Sequence, residues 1–195
     1  MILVAALSLA AMTVTAAVLQ REQIVLSDKL IRLHVVANSN TDEDQGVKLM
    51  VRDAVLKTAD SLLLTGDDPE SILGANLPLL QETAEECLRS NGFMEPVEVS
   101  LKMERFPTRV YDSFSLPGGV YKTLRVTIGS GAGENWWCVV FPAICLRAAG
   151  EFDDAAAAAG FSQGEIRLIT EDNQGYILKF KVLELLEKIQ RGLVS

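Results

Sequence analysis

Leu30-Ile31-Arg32-Leu33-His34-Val35-Val36-Ala37-Asn38-Ser39-Asn40-Thr41-Asp42-Glu43-Asp44-Gln45 passes from an apolar run, through a polar turn, into an acidic helix start. The part from Lys29 to Ala37 is rich in apolar and β-branched residues and reads as a strand with at least one buried face. Asn38, Ser39, Asn40 and Thr41 offer capping oxygens. Asp42, Glu43 and Asp44 then set negative charge in a first helical turn, against the positive end of the peptide dipoles. Val47, Val51, Ala54, Val55, Thr58 and Leu62 recur at helical spacing, which predicts a helix from about Asp42 to Leu63 with one face on a sheet.

Working outward, Gly66-Asp67-Asp68-Pro69 ends that helix and opens another, with Asp68 as cap and Pro69 in the first turn. Pro78 lacks a backbone donor and crowds the preceding turn. A short helix is therefore expected before it and a longer one from Pro78 to Arg89, closed by Asn91-Gly92. From Pro96 the period becomes two: Val97, Val99, Leu101 and Met103 alternate with Glu98, Ser100, Lys102 and Glu104. Further strands are expected over Arg109 to Phe114, Val120 to Ile128 and Trp136 to Phe141, separated by Pro117-Gly118-Gly119 and Gly129-Ser130-Gly131-Ala132-Gly133. Short glycine-containing links favour antiparallel neighbours. The expected fold is α+β: a mainly antiparallel sheet with two or three helices packed on one face. Beyond it, 148–163 reads as a linker whose five consecutive alanines could also form a short helix, Glu165 to Thr170 as a further strand, and Lys181 to Gln190 as a C-terminal amphipathic helix within a 164–195 extension.

Met1 to Leu19 carries no charged residue, so residues 1–20 read as a signal peptide or signal anchor, with Val14-Thr15-Ala16-Ala17 as a small-residue cleavage pattern. No basic residue precedes the run, and cleavage and retention both stay open. The core domain is placed at 29–147. Of 195 residues, 49% are hydrophobic, enough for a packed core. A net charge of −8 with no cluster of lysine or arginine argues against a nucleic-acid surface.

Few residue patterns carry chemistry. One histidine and three cysteines without CxxC spacing offer no zinc site, and no metal or cofactor is expected. In an exported chain, Cys138 and Cys145 flank Phe141-Pro142 closely enough to bridge; the other reading is two small buried residues on adjacent elements. Cys87 would stay free on a helix. A thiol hydrolase would need Cys138 as nucleophile, His34 as base, and Asn38 or Asp112 to orient the ring. The residue types are present, but both Cys138 and His34 sit inside apparent strands rather than in a cationic or helix-terminal setting. The glycine-rich 129–133 loop lacks the lysine-serine/threonine ending of a phosphate loop. Trp136 and Trp137 place one indole on each face of a strand, one for the core and one as a candidate binding anchor.

In order along the chain, Ile31 to Ser39, Val47 to Val55, Phe106-Pro107-Thr108, Leu116-Pro117-Gly118-Gly119 with Tyr121, Leu124 to Gly129, Asn135-Trp136-Trp137-Cys138-Val139-Val140-Phe141-Pro142 and Cys145 resemble the stage II sporulation protein R family. The resemblance covers about Leu30 to Leu146. It implies a non-enzymatic signal of endospore formation, exported from the forespore into the intermembrane space. There it would activate a membrane-embedded aspartic protease that processes the sigma-E precursor. Membrane contact would run through the N-terminal helix if uncleaved. Asn38, Ser39, Trp136 and Trp137 are the expected partner-binding residues. The competing expectation is an exported thiol-dependent hydrolase acting on peptides or peptidoglycan.

Overall fold

Every residue from Ile31 to Val36 is buried, and together they form strand β1. The computed structural model describes residues 21, 24–64, 68–111, 114–143 and 152–170. After β1 come helices α1 (Asp42–Leu63), α2 (Pro69–Ala75) and α3 (Leu77–Ser90). Strands β2 (Val97–Phe106), β3 (Arg109–Val110), β4 (Ser115–Leu116), β5 (Gly119–Ile128) and β6 (Asn135–Phe141) follow, then helices α4 (Phe152–Ala158) and α5 (Gln163–Thr170).

Burial on both faces suits a central strand, and β1 is one: the sheet order is β2-β5-β1-β6. β5 pairs antiparallel with β2, setting Leu124 opposite Leu101. β6 pairs antiparallel with β1, setting Cys138 opposite Leu33. The middle pairing, β1 with β5, is parallel, with Leu33 beside Leu124. The expected antiparallel sheet is therefore mixed. β5 and β6 do not pair with each other, because β1 lies between them. The connecting loop crosses the end of β1, where Gly133 N donates to the Ala37 carbonyl at 2.9 Å and Ala132 N to that of Asn38 at 3.2 Å. β3 and β4 form a separate two-stranded ribbon.

The helices begin where their capping residues stand. Thr41 Oγ1 accepts from Asp44 N at 3.3 Å at the start of α1, and Asp68 caps α2 with Pro69 in its first turn. α1 and α3 lay Val47, Val51, Val55, Leu80, Ala84 and Leu88 against Leu33, Val35, Leu124 and Val126 of the sheet, forming the larger core. Each such large side chain withdrawn from water contributes roughly 1.5–3 kcal/mol. The opposite face has its own cluster, in which Phe106, Tyr121 and Val139 meet Leu26, Leu30, Leu116, Phe161 and Ile166. Glu165 to Thr170, expected as a strand, is helical. Ser162 N donates to Glu165 Oε2 at 2.6 Å and Glu165 N to Ser162 Oγ at 3.3 Å, a reciprocal cap that fixes the first turn of α5. Within the stretch expected as a linker, Phe152–Ala158 is helical and Ala156 is buried.

Among the described residues no helix is long and apolar enough to cross a membrane. The expected signal or anchor segment and the helix at Lys181 to Gln190 lie outside the described residues.

Candidate functional site

Alternation along β1 decides what the free half of the sheet displays. Leu33 and Val35 point to the helices, so Arg32 and His34 point the other way. Around His34 the neighbouring strands bring polar side chains into line. Its Nδ1 lies 2.7 Å from Glu104 Oε2 on β2, and Nε2 lies 2.6 Å from Asn135 Oδ1 on β6. Arg125 of β5 donates through Nη1 to Glu104 Oε1 at 2.9 Å and through Nε to Thr127 Oγ1 at 3.1 Å. Lys102 Nζ stands 3.6 Å from the same carboxylate. The His34 ring stacks on Trp137 with centroids 5.6 Å apart, and Arg109 lies over the other ring system at 3.8 Å from its centroid. One polar ladder thus runs across all four strands.

Burial pushes the Glu104 carboxyl up, but hydrogen bonds from His34 and Arg125 and their charges outweigh it and hold the group below the usual glutamate range. Both histidine nitrogens are engaged, and among the described residues no hydroxyl or thiol is hydrogen-bonded to that ring. Chemically the ladder is a set of mutually satisfied polar groups around a buried His34, with Glu104 and Arg125 half-buried. It lacks the free base and adjacent nucleophile that acyl transfer requires.

The residues singled out in the sequence do not form one patch. Asn38 and Ser39 are half-buried and hold the turn after β1 together: Asn38 Nδ2 and Ser39 Oγ donate to Asp44 Oδ2 at 3.0 and 2.6 Å. Asn38 Oδ1 accepts from Ser130 N at 3.0 Å. Trp136 is on the helix face of edge strand β6, 37% exposed, with the Arg52 guanidinium 4.4 Å from its ring. Trp137 is half-buried on the opposite face, inside the ladder. Cys138 is buried, disulfide-bonded and opposite Leu33, on the helix side of the sheet. His34 pairs with Trp137 on the other side. The sheet thus separates the cysteine and histidine that a thiol hydrolase would bring together, and the sulfur is already bonded. Cys145 and Asp112 lie outside the described residues. Cys87 is a free, half-buried thiol whose pKa is raised by burial and by nearby Asp53.

Glu104, Arg125 and Arg109 escaped the sequence reading, although one signal was available. Ser100, Lys102 and Glu104 alternate with apolar residues on β2, so a polar face was visible without its partners.

Among families of known proteins, the family described as stage II sporulation protein R matches residues 27–151. Stage II sporulation protein R of Bacillus subtilis (strain 168) is 32% identical over 130 residues, covering 65% of this chain and 58% of that protein. The match therefore spans less than two thirds of that relative's length. No solved structure matches this chain.

Proposed function

Because this chain belongs to the stage II sporulation protein R family, we propose that it is a secreted signal of endospore formation. In this reading it leaves the forespore, reaches the space between the two sporulation membranes, and activates a membrane-embedded aspartic protease that processes the sigma-E precursor. The protein itself catalyses nothing; its product is a contact. Residues 1–20 direct export and, if retained, hold it at the membrane. The observation that carries the reading is the family match over residues 27–151. Two features agree with it. A disulfide at Cys138 belongs with an oxidising, extracytoplasmic setting. The His34 ladder is internally satisfied and suits recognition better than bond-making.

For the bridge we assign Cys145 as the partner of Cys138. For the receptor contact we assign the end of β1 and strand β6, with Asn38, Ser39, Trp136 and Trp137. Trp136 is the member whose ring is most available, and exposed indoles beside arginine are frequent interface anchors.

The test is an immunoblot of the sigma-E precursor during sporulation, with and without this gene. Accumulation of uncut precursor, reversed by the exported form, is the expected result. Normal processing in the deletion strain, with no paralogue present, would sink the proposal.

A further inference from the structure

No part of Arg32 reaches solvent, although it carries a full charge at the centre of the sheet. Its guanidinium lies 4.0 Å from the Phe106 ring centre and 5.0 Å from that of Tyr121. Nη2 donates to Tyr111 Oη at 2.6 Å, and that hydroxyl donates to the Trp137 carbonyl at 3.3 Å. Nε and Nη1 have no hydrogen-bond partner among the described residues. Arg109 brings a second guanidinium to the same surroundings. It stacks on Trp137 at 3.8 Å, and its Nε is likewise buried without an acceptor among the described residues.

A guanidinium keeps its proton inside a protein, so neutralisation cannot relieve this burial. Aromatic faces and one neutral hydroxyl offset only part of the loss of water. The nearby charge of Arg109 adds repulsion against that of Arg32. One anion shared between them removes both difficulties, and a carboxylate has the shape for it: two coplanar oxygens that accept parallel N–H bonds. We infer that Arg32 and Arg109 form a receptor for a single protein carboxylate, with Tyr111 holding the Arg32 guanidinium in place.

The walls favour that ligand over a phosphate surface. Phe106, Phe114, Tyr121 and Trp137 surround the charges with apolar area, which suits an acidic side chain carried on a peptide. A phosphate-rich surface would instead meet a molecule of net charge −8. The carboxylate comes either from another part of this chain or from a bound protein. Naming that second protein as the receptor protease rests on the signalling reading above; the site itself does not.

Arginine side-chain NMR on the full chain, titrated with sodium acetate against sodium chloride at equal ionic strength, tests the assignment. The Nε–Hε signals of Arg32 and Arg109 are expected to move together and saturate with acetate alone. Arg109→Met, on a strand of the separate two-stranded ribbon, should weaken that response roughly tenfold or more, the scale of one lost charge-assisted contact. Signals that ignore acetate but shift as pH falls through the carboxylate range would also support the site, filled by a carboxylate of this chain; shielding from water alone would not, since Arg32 is buried in any case. Signals that ignore both acetate and pH would overturn it. Acetate binding with normal sigma-E processing in the deletion strain would keep the site and discard the signalling role.

Discussion

Replacing Asn38 with alanine separates scaffold from contact at the turn after β1. The side chain gives one hydrogen bond to the Asp44 carboxylate at 3.0 Å and accepts one from Ser130 N at 3.0 Å. The Ser130 hydroxyl, 3.2 Å from Asn38 Oδ1, is also 2.8 Å from the Asn38 carbonyl and keeps that partner in the variant. Two bonds are therefore lost outright. A bond to a charged acceptor contributes about 1.5–3 kcal/mol and a neutral one about 0.5–1.5 kcal/mol, and half-burial lets water recover part of each. The expected destabilisation is about 2 kcal/mol. Urea unfolding at neutral pH, followed by tryptophan emission, measures it as a lower midpoint with an unchanged slope. A loss under about 0.5 kcal/mol would refute the scaffold argument. If sigma-E processing failed in that variant while its urea midpoint was unchanged, Asn38 would act as the contact residue assigned above.

Gly129 has φ +56°, and a Cβ there would lie 2.2 Å from Asn38 Oδ1, so Gly129→Ala should destabilise by about 2 kcal/mol or more, and by roughly 1 kcal/mol less when Asn38 is already alanine; additive effects in a double-mutant cycle would contradict the clash. Acid should weaken the fold through Asp44, held below the usual aspartate range by the Ser39 hydroxyl first, then by Asn38 and Thr41 against the effect of burial, and through Glu104. A carboxylate depressed in the folded state gives its full stabilisation above its unfolded value and loses it as pH falls through the folded one. The urea midpoint should therefore drop below about pH 4, and less steeply in Asp44→Asn; parallel pH profiles for the two proteins would be the contrary result. Alkylation of the denatured, unreduced protein should label Cys87 alone and leave a Cys138–Cys145 peptide pair, whereas labelling at all three cysteines would mean that the bridge is absent.

Where a local residue fixes a local shape, the sequence was readable. Thr41 with its three acidic followers, and Asp68 with Pro69, marked helix starts that the structure places at those residues. Pro78 separated α2 from α3 for the same reason, a missing donor. Ser162 and Glu165 formed an equally local signal, the serine-x-x-glutamate cap, and passing over it turned α5 into a strand. Pairing was harder, because it is decided at long range. Short glycine loops suggested that β5 and β6 were neighbours, and nothing nearby in the chain says that β1 inserts between them. The available hint was slight: apolar residues dominate Leu30 to Ala37, as suits a central strand, but Arg32 and His34 interrupt them. The candidate site was legible by halves. His34 and Trp137 were noticed singly, but their meeting, and the burial of Arg32 among rings from β2 and β5, depend on that same non-local register.

The position of β1 also governs when the protein becomes itself. The strand is made early, yet His34 finds Arg125 91 residues and Asn135 101 residues later. No fragment that stops short of Phe141 can close the sheet. Assembly dominated by such distant partners is slow compared with helix formation. For a chain threaded through a channel in extended form, as in the export route proposed above, the sheet stays one strand short until β6 has passed. A product shortened before β6 would lack both indoles and the Asn135 and Trp137 partners of His34. On that route, folding would complete the surface only in molecules that have crossed at least as far as Phe141.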